Sequence, residues 1–144
     1  MAHIPDTIER ELILPVPPAR VWTALTRADQ LSAWFGTQAS VDLRPGGAVN
    51  FVWEEASRSA HTNYGIIDVV DPPRRFAFRW QSGPEGRPMT LVDFTLEEHP
   101  GGTRLRVVES GFASLPPEQR ERNQTGWQRE LSDLENYLGK AEPG

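Results

Sequence analysis

Between Thr37 and Ser110 hydrophobic residues recur at every second position, whereas on either side of that stretch they recur every three or four. A period of two buries one face of a strand and a period near 3.6 buries one stripe of a helix, so the chain predicts a sheet flanked by helices. Arg44-Pro45-Gly46-Gly47, Asp71-Pro72-Pro73, Ser82-Gly83-Pro84-Glu85-Gly86 and His99-Pro100-Gly101-Gly102 supply turn chemistry, dividing the central stretch into an antiparallel meander of hairpins. One face carries Val49, Phe51 and Trp53, then Phe76, Phe78 and Trp80, then Val92, Phe94 and Leu96, then Leu105 and Val107. Asn50, Arg79, Asp93, Arg104 and Arg106 take alternate positions, as in a sheet buried on one side. Tyr64 to Val70 is apolar on both parities except at Asp68, so its inner face stays open and a bulge is expected there.

Ahead of the meander, Ile8 to Leu14 reads as a strand that halts at Pro15, which cannot donate to a ladder. Pro17 and Pro18 then suit a helix start, with Val21, Ala24 and Leu25 on one face. A second short helix is expected from about Ala28 to Phe35, with Leu31, Trp34 and Phe35 at helical spacing and Gly36 as a left-handed C-cap. Behind the meander, Ser114-Leu115-Pro116-Pro117-Glu118 reads as the start of a helix of ~30 Å or more that continues to Leu138 before Gly139. Trp127, Leu131, Leu134 and Leu138 form its apolar stripe, and its earlier turns offer Arg120, Asn123 and Gln124, expected to frame an entrance. The predicted class is α+β: a seven-stranded curved antiparallel sheet, two short helices and a long C-terminal helix, in one domain over 1–144 with its core at about 8–138.

One helix stripe is narrow cover for a concave face so rich in rings. Either the rings fill the interior, burying about 150–250 Å² each, or a cavity remains, and ligand sites are typically concave and apolar with a few inward polar groups. The residues expected to line it are Trp34 from the second helix, Phe51, Trp53, Tyr64, Phe78, Trp80, Phe94, Val107 and Glu109 from the strands, Phe112 after the sheet, and Trp127 and Leu131 from the last helix. Glu109 continues the parity of Thr103, Leu105 and Val107, so strict alternation turns it inward; leaving the sheet at that point instead makes it a solvated or arginine-paired rim carboxylate. An inward carboxylate needs partners, and can bind a ligand hydroxyl or act as a general base. His61 and Tyr64 begin a strand and sit either at the cavity mouth or on a surface hairpin.

Composition narrows the chemistry. The 144 residues are 38% hydrophobic, 9% aromatic and 24% charged, ordinary for a globular chain with a real core. With no cysteine there is no disulfide, thiolate nucleophile or sulfur-ligated zinc. His3, His61 and His99 show no ligand spacing, so no metal and no cofactor are expected. A net charge of −5 disfavours nucleic acid, and the absence of a long apolar run or secretion signal points to a cytoplasmic protein, monomer or homodimer, that does not insert in membranes. Glu109-Ser110-Gly111-Phe112 lacks the first glycine of a nucleophile elbow, and Gly46-Gly47 lacks the lysine of a phosphate loop. No catalytic residue is assigned.

Pro17-Pro18-Ala19-Arg20-Val21-Trp22, Ala33-Trp34-Phe35-Gly36, Leu43-Arg44-Pro45-Gly46-Gly47, Asp71-Pro72-Pro73-Arg74-Arg75, Gly101-Gly102-Thr103-Arg104-Leu105, Glu109-Ser110-Gly111-Phe112 and Gly126-Trp127 together resemble signature stretches of the START and birch-pollen-allergen superfamily (SRPBCC). The chain is similar in particular to domains like the activator of the heat-shock Hsp ATPase, over about Ile8 to Leu138. The resemblance implies a helix-grip fold. It also implies one of several functions: binding of a small hydrophobic or aromatic molecule or lipid, a polyketide cyclase or dehydratase, or a co-chaperone of a heat-shock ATPase in the stress response. The family supplies no universal catalytic residue to carry over, and the co-chaperone usually has an additional N-terminal domain.

Overall fold

Alternation of apolar and charged residues builds an antiparallel sheet that is buried on one side only. The computed structural model describes the backbone of residues 6–35, 38–55, 58–81 and 89–140, and the side chains of these except residues 53–55, 58–61, 114 and 140. Among them run β1 (Thr7–Leu14), α1 (Pro18–Thr26), α2 (Ala28–Trp34), β2 (Gln38–Val41), β3 (Ala48–Glu55), β4 (Arg58–Asp71), β5 (Arg75–Gln81), β6 (Met89–His99), β7 (Gly102–Ser110), a 3₁₀ turn (Phe112–Ser114) and α3 (Pro117–Lys140). The seven strands form one sheet in the order β1-β7-β6-β5-β4-β3-β2, every neighbouring pair antiparallel.

The inner face is the aromatic one. Val49, Phe51, Phe76, Phe78, Trp80, Val92, Phe94, Leu96, Leu105 and Val107 are all buried. The outer face pairs its charges across strands, Arg75 with Asp93 at 2.9 Å, Arg106 with Glu9 at 2.7 Å and Arg79 with Asp68 at 3.3 Å. Such exposed pairs contribute roughly 0.2–1 kcal/mol each, so burial dominates. In β4 the alternation is interrupted: the register with β5 shifts between Ile67 and Val69, the bulge that a stretch apolar on both parities had implied.

α3 covers the concave face with Trp127, Leu131, Leu134 and Leu138, all buried, and packs on α2, β1 and the 3₁₀ turn, while α1 lies against β6 and β7. Three boundaries differ from expectation. α2 ends at Trp34, with Phe35 already extended at φ −122°, and the Gly36 cap and the 82–86 turn lie outside the described residues. α3 starts at Pro117 and runs through Gly139 to Lys140, because Gly139 does not take the positive φ that would end a helix. The 3₁₀ turn was not anticipated.

Candidate functional site

The inward parity of β7 holds to its end: Thr103, Leu105, Val107 and Glu109 are all buried, and Glu109 is 0% exposed. Glu109 stands between Val92 of β6 and Ile8 of β1. Thr90 lies two residues before Val92 on the same face, and Trp80 of β5 is directly opposite Thr90, so both reach Glu109 diagonally. From above, Asn123 and Trp127 project off the same face of α3, one turn apart.

These four side chains converge on the carboxylate. Trp127 Nε1 donates to Oε1 at 2.7 Å, Thr90 Oγ1 to Oε2 at 2.6 Å and Trp80 Nε1 to Oε2 at 2.9 Å. Asn123 Nδ2 donates to both oxygens, at 3.2 and 3.1 Å. Every partner is a neutral donor, and among the described residues no cationic side chain pairs with Glu109. A carboxylate taken out of water is costly unless its lone pairs are satisfied, and here the satisfaction comes from hydrogen bonds alone. The rim alternative for Glu109 is thereby excluded.

The turn after the carboxylate is pinned. Asp6 accepts from the amides of Gly111 at 3.1 Å and Ala113 at 2.9 Å, and Gly111 has φ +108°, a conformation that side chains with a Cβ rarely adopt. The first turns of α3, expected to frame an entrance, are tied to the sheet. Arg120 donates to the Thr7 carbonyl at 2.7 Å and to Gln124 at 3.2 Å, which ties these turns to β1, and Asn123 turns down onto Glu109.

Around the carboxylate the rings touch one another. Phe35, Trp80 and Trp127 form a triangle with centroids 6.0, 5.6 and 6.4 Å apart, and Phe35 lies within 19° of parallel to both indoles. Phe51 packs edge-on against Phe35 and Trp80 at 4.9 and 5.5 Å, Phe94 against Trp127 at 5.8 Å, and Phe78 against Trp80 at 5.5 Å. Val107, Phe112 and Leu131 are buried. Trp34 is buried too, but its indole donates to the Ala24 carbonyl at 2.9 Å, joining α2 to α1 and not to Glu109.

Tyr64 is a correction: it is 56% exposed on the outer face, opposite Asn50. The inner position belongs to Gly65, which faces Val49 and Trp80 and where a Cβ would come within 2.7 Å of the Arg79 carbonyl oxygen. With a glycine inward, the parity of this strand carries no hydrophobic signal. The backbone of His61 pairs with that of Trp53, and both side chains lie outside the described residues. Sequence reasoning did not assign Thr90, Asn123 or Phe35 to the site. Thr90 shares the parity of Val92 and Phe94, and Asn123 precedes Trp127 by four, so two of the three left a legible signal.

A second buried carboxylate, Glu130, lies on α3. Burial pushes Glu130 up to about 7, against the lowering pull of Arg129 at 3.5 Å. Among the described residues no cluster of three or more His, Asp or Glu side chains is placed to hold a metal ion, and no helix is long and apolar enough to cross a membrane.

A family model described as Activator of Hsp90 ATPase homolog 1-like protein matches residues 15–139. No curated protein matches the sequence. Solved structures share the fold. CV1439 from Chromobacterium violaceum is 25% identical with a TM-score of 0.80, the match covering 93% of this chain and 98% of that one. DynU16, a protein in the dynemicin biosynthetic locus, is 25% identical with a TM-score of 0.79, over 96% of this chain and 49% of its own. CalU16 from Micromonospora echinospora is 24% identical with a TM-score of 0.72, over 92% of this chain and 75% of that one.

Proposed function

Starting from the fact that the chain belongs to the Activator of Hsp90 ATPase homolog 1-like family, we propose that it binds a small, largely apolar or aromatic molecule between the curved sheet and α3, with Glu109 as the polar anchor. The observation that carries this reading is the placement of a fully buried carboxylate among rings, satisfied by four neutral donors. A core selected for stability alone has a cheaper solution at this position, since an apolar residue of similar volume needs no partners. Keeping an acid there fits an interior that recognises a polar group on an otherwise apolar guest.

The reading as a cyclase or dehydratase has less support. Such chemistry needs a second group converging on the substrate to exchange protons with the first. Among the described residues, the groups bonded to Glu109 are a threonine, an asparagine and two indoles, none of which titrates near neutral pH.

Thermal unfolding in the presence of a panel of aromatic and lipid molecules tests the proposal. A true ligand at a hundred times its Kd stabilises the fold by about 2.7 kcal/mol, which raises Tm by roughly 5 to 10 °C. A panel that shifts neither Tm nor tryptophan emission removes the proposal.

A further inference from the structure

Resting on that binding reading, we infer the chemical class of the guest: a planar aromatic molecule whose edge carries a hydrogen-bond donor, a phenolic O–H or an aromatic N–H, and which takes the place of Asn123 on Glu109.

Three features lead there. Among the described residues, every hydrogen bond made to Glu109 is a donation, so the site rewards donors. A group that only accepts would meet a lone pair, and an anion would bring a second negative charge to an interior with no cation at Glu109 among the described residues. The four donors also differ in how firmly they are held. Thr90, Trp80 and Trp127 are buried at 0%, 7% and 3% exposure on regular elements and each makes one short bond, whereas Asn123 is half-buried in the first turns of α3 and splits one nitrogen between two oxygens at 3.1 and 3.2 Å. Its side-chain oxygen is already held by Gln119 Nε2 at 2.8 Å, so the amide has a place to stay when it leaves the carboxylate. Asn123 is thus the exchangeable member.

The third feature is the nature of the firm partners. Two of them are aromatic N–H groups, with Phe35 completing the ring triangle and carrying no donor of its own. Phe35 sits on the extended residue just past α2 and not within a strand or helix. A guest that lays its ring where Phe35 now lies and points its donor at Glu109 repeats the chemistry of Trp80 and Trp127 with a third aromatic donor. Apolar contact with the indoles holds its body, and the carboxylate selects its edge.

Indole and 1-methylindole form a matched pair of probes that differ in that donor, and 2-naphthoate supplies the anion. Calorimetric titration of the full chain at pH 7 is expected to show indole at least tenfold tighter than 1-methylindole and no binding of 2-naphthoate. Asn123→Ala, a change at a half-buried position, is expected to tighten indole three- to tenfold and leave 1-methylindole unchanged; Glu109→Gln is expected to erase the preference. Equal affinities for indole and 1-methylindole, or an Asn123→Ala variant that binds indole no better, would overturn this inference and leave the wider binding reading standing. If neither probe binds and the wider aromatic and lipid panel also fails, the binding reading falls and this inference falls with it.

Discussion

Glu109 and Glu130 are both buried acids on facing elements, and their surroundings differ. Glu109 has its oxygens filled by four donors, so its removal strands those donors. Glu109→Gln, which turns an N–H toward N–H groups, is expected to cost about 2–4 kcal/mol in urea unfolding at pH 7, against about 1 kcal/mol for Asn123→Ala. Burial raises the Glu130 carboxyl from 4.5 to about 7, the neighbouring Asp133 charge adds to the rise, and Arg129 pulls against it. A raised acid binds its proton more tightly folded than unfolded. The penalty on the folded state is therefore absent below 4.5, grows as pH rises, and is complete above about 7. Glu130→Gln is expected to gain roughly 1–2 kcal/mol over the native chain at pH 8 and almost nothing at pH 4, read from paired denaturation curves. At this scale the sequence was partly legible. Parity offered an inward Glu109 beside a rim alternative that it did not exclude, its partners required knowing how α3 is rotated over the sheet, and Tyr64 was misplaced because Gly65 hides the inner parity of β4.

Periodicity located nearly every element. The aromatic alternation of β3, β5 and β6 and the stripe of α3 are strong patterns because each buries a continuous face. The joints were harder to read, since they depend on capping and tertiary hydrogen bonds and not on hydrophobic spacing. The link from β7 to α3 illustrates this: its 3₁₀ turn depends on Gly111 at φ +108° and on the Asp6 carboxylate, a residue more than a hundred positions away in sequence. Gly111→Ala is expected to destabilise the fold by about 1–2 kcal/mol, measured as a lowered urea midpoint with unchanged slope. An unchanged midpoint would mean that the link bends without the glycine.

For the whole molecule, an antiparallel sheet closed over by one helix creates an interior whose only deep charge among the described residues of the sheet's inner face is Glu109. The fold was legible as a whole, and so was the aromatic character of that interior. Whether the rings fill it or leave a cavity was not, because ring spacing in a sequence does not fix ring contact in space. Among the described residues the rings touch, and Phe35 is the ring least embedded in regular structure. The most direct test is the proton–nitrogen correlation spectrum of the tryptophan indoles, titrated with indole. The Nε1–H signals of Trp80 and Trp127, both bonded to Glu109, are expected to shift together while that of Trp34, bonded to the Ala24 carbonyl, stays in place. Signals of Trp80 and Trp127 that do not move at saturating indole, or that move no more than that of Trp34, would contradict binding at Glu109.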